Sequence, residues 1–423
     1  MRAAGPREND NPPEEATVRS SAASSFEAVK VTDQVYWVGA IDWGVRDFHG
    51  YATDRGSTYN AYLILADKIT LIDTVKAPFA GELLSRIASV VDPAKVDYVI
   101  SNHAEMDHSG ALREVLEALN PEKVFASAMG VKALEEHFHL DGHVTGVADG
   151  ETLSLGSAGL TFVEARMLHW PDSMMTYLAE ERLLFSNDAF GMHLASSERF
   201  DDELQQWLLE EEAARYFANI LLPFSPLIAK LLEKVAGLGI DIDMIATSHG
   251  PIWRKGGDRI ASLYATWASG ERGDTAVVVF DTMWQSTAKM ARAIGEGLTA
   301  GGARVKLMPL RAAHRSDVAV ELLDAGALLV GSPTLNNNMF PTVADVLTYV
   351  KGLRPRGLIG AAFGSYGWGG QAVGQIEDIL RDMKVDLAAD GLKTKYVPDA
   401  AALRECRDLG VKIAGKLKGM VKV

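Results

Sequence analysis

The sequence predicts an α/β protein in two domains, the second of them a doubly wound parallel sheet. Three observations carry that prediction. At 423 residues the chain is too long for one ordinary domain. A hydrophobic content of 48% against 23% charged residues is normal for a globular protein with real cores. From Thr275 onward, apolar runs alternate with amphipathic ones, the pattern of parallel strands with helices over both sheet faces. The boundary is expected near Gly270, in GERG, which divides the chain into domains over 26–270 and 271–423. Residues 1–25 are polar, lack an apolar signal core and read as a disordered extension.

In chain order, residues 29–38 and 60–66 read as strands, with a short third at 69–72. The stretch 41–59 between the first two is a long polar and aromatic loop carrying His49, and long loops inside compact domains tend to be functional. A helix over 81–90 leads to a buried strand at 98–101. Ser109 suits an N-cap for the periodic run 111–119, and a strand at 123–127 and a helix at 131–138 follow. From 144 to 187 the pattern is short strands and turns, then helices over 203–238, the strand IDMIATS and a helix at 258–269. In the second domain the strands TAVVVF, ARVKLM, ALLVG and GLIGAAFG alternate with helices at 287–298, 317–323, 343–350 and 373–383. A terminal helix starts at Ala400.

Totals exclude several classes. A net charge of −14 and a pI of about 5.2 argue against general nucleic-acid binding and against an anionic membrane surface. One cysteine, Cys406, excludes a disulfide framework, a CxxC zinc site and a cysteine-ligated iron–sulfur cluster, and reads as an inert thiol. No apolar run reaches transmembrane length, so the cytoplasm is the default compartment.

The stretch YVISNHAEMDHSG, residues 98–110, leaves a strand and offers His103, Glu105, Asp107 and His108 within six positions. A solvated charged loop would explain any one of them. Four ligand-type side chains together point to half of a metal site, and on an extended loop alternate residues converge, which would bring His103, Glu105 and Asp107 to one point. Three more candidates stand at strand ends: His169 in LHWPDSMM, Asp188 in SNDAFG and His249 in SHGPIW. Each alone also reads as a backbone-bonded histidine or an Asx-turn residue.

This order of ligands resembles the metallo-β-lactamase-like αββα fold. Hydrolases of that fold carry His-x-His-x-Asp-His and two zinc ions, whereas here Glu105 takes the second position. The motif His103-x-Glu105-x-Asp107-His108 resembles that of the flavodiiron proteins, which join this domain to a flavodoxin-like one. An added carboxylate brings negative charge and oxygen donation, which suits redox-active iron. The resemblance implies two irons, one on His103, Glu105 and His169, the other on Asp107, His108 and His249, with Asp188 bridging. His49 in DFHGY and His193 in FGMHL sit near ligand loops and read as catalytic, lining the substrate pocket to orient gas or supply protons; a core or turn role is the alternative. His137, His139, His143 and His314 read as exposed.

Three loops at strand ends of the second domain form the other candidate site. Thr282, Met283, Trp284, Gln285, Ser286 and Thr287 lie between the first strand and helix, where hydroxyls and N–H groups cradle a phosphate. A Ser/Thr-capped helix alone would account for that segment. Pro333, Thr334, Leu335 and Asn336 follow ALLVG, and Ser365, Tyr366, Gly367, Trp368 and Gly369 follow GLIGAAFG. They fall on the edge where a doubly wound sheet binds its ligand, with residues that allow stacking on a flat ring. The arrangement resembles a flavodoxin-type FMN site, and a Gly-x-Gly-x-x-Gly fingerprint is absent.

By that resemblance FMN takes electrons from a separate donor, rubredoxin or reduced coenzyme F420, and passes them to the diiron site. There O2 is reduced to water, or NO to N2O. No CxxC pairs of a fused rubredoxin follow the flavodoxin-like domain, so the minimal two-domain form is expected. The family arrangement is a head-to-tail homodimer, or a dimer of dimers, that sets the FMN of one subunit beside the irons of another. Two other classes compete: a binuclear zinc hydrolase with a flavodoxin appendage, against which Glu105 and the flavin loops speak, and a gas or redox sensor, for which no DNA-binding motif or signalling domain is present.

Overall fold

A computed structural model describes residues 26–140 and 142–420, so the expected extension at 1–25 lies outside the described residues. Alternation along the strands decides the layers of the first domain. Tyr62, Ile64, Ile72 and Ile100 face one side of a seven-stranded sheet, while Leu63, Leu71 and Val99, one residue out of step, face the other. The first set meets Leu160, Phe162, Phe185 and Ala246 of a five-stranded sheet and forms the core between the two. The second set packs under helices Ala80–Ala88, Leu112–Leu119 and Ala128–Phe138. On the far face of the five-stranded sheet, Met175, Leu184 and Ile245 meet Leu209, Ile228, Ile260 and Tyr264 of helices Gln206–Tyr216, Ser225–Gly237 and Gly257–Ser269. The result is an αββα sandwich. Each fully buried side chain of this kind stabilises it by about 1.5–3 kcal/mol, so the fold rests on many of them.

In the second domain Arg304–Pro309, Thr275–Phe280, Ala327–Gly331 and Ile359–Tyr366 run parallel in that spatial order, and Asp386–Leu387 and Leu392–Lys395 both pair with the last. Counted along the chain this begins 2-1-3-4, the flavodoxin-like order. Val278 and Leu329 face helices Ser286–Ala300 and Ala400–Met420, while Val277, Val279, Leu328 and Val330 face the opposite layer. Gly297 permits those two helices to touch, since a Cβ there would lie 2.0 Å from the Arg407 carbonyl oxygen.

Several expectations need correction. The strand read over 29–38 is two strands, Val29–Lys30 and Val35–Trp37, because the Thr32 hydroxyl accepts from Gln34 and Val35 N–H and turns the chain. The stretch 41–59 is not a plain loop: Ala40–Asp42 pairs with Ser57–Tyr59, and Asp47–Phe48 with Tyr51–Ala52. Ser109 is not an N-cap; it ends a helical turn, Met106–Ser109, and its hydroxyl donates to the carbonyls of Ala104 and Glu105. Among the described residues no helix is long and apolar enough to cross a membrane. Cys406 is buried, which pushes its thiol up to about 11.

Candidate functional site

Strand ends of both first-domain sheets, at Ser101, Asn187 and Thr247, deliver six of the candidate ligands to one edge, whereas His169, expected at a strand end, lies in the turn five residues beyond Glu164, where its strand stops. The chain leaves the first at Asn102, whose N–H and side-chain amide donate to the two oxygens of Asp73 at 2.7 and 3.1 Å. Asp73, Asn187 and Met167, each one or two residues from a turn into the site, hold positive φ of 56°, 54° and 66°. Backbone of that kind costs about 1–2 kcal/mol per side-chain-bearing residue and persists where surrounding structure over-determines it.

Seven side chains converge, in two groups. His103 Nε2 and His169 Nε2 lie 3.2 and 3.0 Å from Glu105 Oε2. His249 Nε2 lies 3.0 Å from Asp107 Oδ2, and His108 Nε2 lies 3.4 Å from Asp107 Oδ1. Asp188 stands between them, with Oδ2 3.5 Å from His103 and 3.4 Å from His169, and Oδ1 3.1 Å from His108 and 3.7 Å from His249. Convergence of His103, Glu105 and Asp107 on one point is therefore overturned. The extended zigzag stops at Glu105, and the helical turn beginning at Met106 swings Asp107 and His108 to the other group.

Outer partners orient the imidazoles. Asp172 Oδ2 lies 2.9 Å from His103 Nδ1 and accepts from Ala104 N–H at 2.6 Å. His249 Nδ1 donates to the Thr58 carbonyl at 2.6 Å. Each leaves Nε2 aimed at the centre. His49 closes the mouth, its Nε2 2.5 Å from Glu105 Oε1. His193 is buried behind His249, with rings 4.5 Å apart and Nδ1 2.7 Å from Ser57 Oγ.

The electrostatics are those of a cation site. Burial alone would raise Glu105 and Asp188, yet histidine contacts outweigh it and hold both carboxyls well below the usual range. Against the same burial, Asp107 and Asp188 lift His108 to about 9. His193 is the opposite case, pushed well below its ordinary value by burial and by His249, which keeps it neutral. Despite the nitrogens close to them, both oxygens of Asp107 and Asp188 Oδ2 are buried without an aligned hydrogen-bond donor. Buried acceptors left in that state cost several kcal/mol unless a cation meets them.

In the second domain a cavity of about 570 Å³ opens at the ends of Thr275–Phe280, Ala327–Gly331 and Ile359–Tyr366. It is lined by Met283, Trp284, Ser286, Pro333 to Asn336 and Ser365 to Trp368. Trp284 and Trp368 are 87% and 90% exposed beside it. Thr282, Gln285, Thr287 and Gly369 do not line it; Thr287 lies behind the wall, bonded through its hydroxyl to Ser365 Oγ at 2.9 Å. Thr334–Leu335 and Asn338–Met339 form a tight hairpin through Asn336 and Asn337, both at positive φ, that holds one wall of the cavity.

Comparison with known proteins extends the reading to most of the chain. Residues 58–250 match the family described as ODP family beta lactamase, and residues 278–410 match Flavodoxin. A nitric oxide reductase of Moorella thermoacetica is 49% identical over 92% of this chain and 98% of its own length. A rubredoxin-oxygen oxidoreductase of Megalodesulfovibrio gigas is 46% identical over 93% of this chain and 99% of its own. The solved rubredoxin oxygen:oxidoreductase from Desulfovibrio gigas superposes with a TM-score of 0.92 at 45% identity, covering 94% of this chain and all of that one. The flavodiiron protein of Giardia intestinalis superposes with a TM-score of 0.90 at 36% identity, covering 93% of this chain and 97% of that one.

The chain belongs to the flavodiiron protein family. It is therefore an oxidoreductase of the flavodiiron type, with FMN and a diiron centre as cofactors, and the zinc-hydrolase alternative falls. The residues fit both groups. Each ligand cluster offers two histidines and a carboxylate, a set suited to non-haem iron, and Asp188 faces both. The flavin cleft has apolar walls and uncovered tryptophan rings, and in the loop behind it the buried Thr282 hydroxyl has no partner. Sequence reasoning about this flavodiiron protein missed Asp172, Thr58 and Ser57 behind the ligands. It also missed Tyr396 and Val397, which the unanticipated edge strand Leu392–Lys395 carries to the flavin cleft. The alternating run LKTKYV was the available signal for that strand.

Proposed function

We propose that this chain passes electrons from a separate donor protein through FMN to a diiron centre held by His103, Glu105 and His169 on one iron and Asp107, His108 and His249 on the other. Asp188 bridges them. The observation that carries this is the split of the Asp188 carboxylate, one oxygen toward each ligand group. When bound, the flavin supplies electrons and the two irons supply adjacent redox-active coordination positions. The reaction proposed first is O2 + 4e⁻ + 4H⁺ → 2H₂O. The same site would serve 2NO + 2e⁻ + 2H⁺ → N₂O + H₂O, which the name of the Moorella relative supports.

The chain's own groups have distinct tasks in this reading. His49, half-exposed and bonded to Glu105, stands where incoming gas enters and where protons arrive from solvent. His193, buried and neutral, supports His249 from behind. His49 is proposed as catalytic on its place at the mouth beside Glu105, and His193, expected to line the substrate pocket, as a positioning residue that acts through His249. The cleft residues Met283, Trp284, Ser286, Pro333 to Asn336 and Ser365 to Trp368 hold the flavin, with Thr282, Gln285, Thr287 and Gly369 shaping its loops.

Rubredoxin is the donor proposed, on the name of the Megalodesulfovibrio relative, with reduced coenzyme F420 as the other arm of the test. A head-to-tail dimer, or a dimer of dimers, is proposed because exposed Trp284, Trp368 and Tyr396 ring the flavin cleft while Trp43 and Met106 are exposed in the metal-binding domain. Residues 26–270 and 271–423 are proposed as the functional domains, and the cytoplasm as the compartment, consistent with a single buried thiol.

The test is the metal content of protein purified without air or added metal. Two irons per chain with bound FMN, followed by gas consumption on addition of reduced rubredoxin, supports the reading. Two zincs surviving iron-replete growth, with no gas consumption, would overturn the proposed electron path to iron.

A further inference from the structure

His49 is carried on a hairpin that does not support itself. Its strands, Asp47–Phe48 and Tyr51–Ala52, are two residues each, joined through His49 and Gly50, both at positive φ. Even longer two-stranded hairpins are marginal in water. Tyr51 anchors one strand in the core, and the hydrogen bonds that hold the turn come from the second domain. Arg315 of the flavodoxin-like domain donates from Nε to the Gly50 carbonyl at 2.7 Å, and Ser316 Oγ accepts from Ala52 N–H at 3.3 Å.

Both residues are themselves fixed. Arg315 Nη1 bonds Asp345 Oδ1 at 2.8 Å, and its guanidinium lies 5.4 Å from the ring centre of Tyr349. Ser316, fully buried, bonds His314 Nδ1 through its hydroxyl at 2.6 Å, and its carbonyl accepts from Asn219 at 3.4 Å. Gly50 leaves room for this contact, since a Cβ there would lie 3.2 Å from Arg315 Nη2. On the inner side, Phe48 packs 4.4 Å from the His193 ring, and His49 reaches Glu105.

From this geometry we infer that the flavodoxin-like domain is a structural part of the metal site of its own chain: Arg315, with Ser316, is a positioning residue that holds the His49 hairpin closed over Glu105. Electron supply and site closure then come from one domain. The inference rests on the proposed diiron site only for what the hairpin covers; whether Arg315 holds the hairpin is measured without metal or turnover.

The test uses the full-length, flavin-loaded protein and Arg315→Ala, Arg315→Lys and His49→Ala. Amide hydrogen exchange over 47–52 should speed about tenfold in Arg315→Ala, the effect of losing one charge-assisted hydrogen bond, with the strand Tyr98–Ser101 unchanged. Arg315→Lys, which keeps the charge facing Asp345 but not the fork, should protect the hairpin only in part. With iron loaded, azide should associate faster in Arg315→Ala and in His49→Ala, and the double variant should be no faster than His49→Ala. Unchanged exchange over 47–52 in Arg315→Ala would overturn the inference, as would additive azide rates in the double variant. Loss of azide binding in every protein, with exchange still faster, would instead strike the diiron reading.

Discussion

Asp172 Oδ2 and His103 Nδ1 are 2.9 Å apart, whereas the corresponding nitrogen of His249 meets neutral groups, the Thr58 carbonyl at 2.6 Å and Ser57 Oγ at 3.5 Å. The two ligand groups are thus unequal: the one holding Glu105 also has a buried carboxylate behind its histidine. A carboxylate in that position orients the ring and raises its basicity, and losing one typically lowers metal affinity 10–100-fold. Asp172→Asn keeps an oxygen toward His103 and Ala104 N–H but removes the charge. Chelator competition on the iron-loaded protein should show one iron, not both, held about tenfold less tightly in that variant. Equal loss of both irons, or no loss, would mean Asp172 only tethers the loop.

Asp172 also shows where sequence reading stops. It lies 69 residues from His103 and sits in WPDS, where an Asx turn explains it fully. The ligands other than His169 were legible because they closely follow apolar strands, and a strand end announces itself locally. Asp107 was misdirected because four residues suffice for a helical turn, too short for periodicity to register. The same limit hid the two-residue strands around His49, and nothing local in Arg315 signals a partner 265 residues away. What was readable was short-range pattern; what was not is long-range pairing.

The exposed rings beside the flavin cleft make a separate prediction. Trp284 and Trp368 are too large and too uncovered to be there for stability. Replacing either by alanine should leave the melting temperature of the apoprotein unchanged and weaken FMN binding about tenfold, as lost aromatic stacking does. Flavin fluorescence quenching reads this directly, and an unchanged dissociation constant would remove the ring from the site.

Cys406 offers a pH prediction free of the metal centre. Burial lifts its thiol from the usual 9 to about 11. In the unfolded chain the thiol ionises near 9 while the folded protein still holds the proton. Folding stability should therefore be intact below pH 9 and fall by about 2–3 kcal/mol as pH rises to 11. Denaturant melts across that window should show the loss in the native chain and less of it in Cys406→Ala. Native protein should also resist thiol reagents until it opens.

Asp188 gives each ligand group one oxygen, and that sharing sets how the centre fills. The first ion to arrive orders the carboxylate but neutralises charge that the second group also draws on, and two cations so close repel. Loading should be stepwise: at half-saturating iron, singly loaded chains outnumber complete ones, as native mass spectrometry can count, and a population carrying two ions or none would overturn this. Asp188→Asn, which removes the shared charge, should loosen both ions. A cell short of iron would then hold many half-built centres before complete ones.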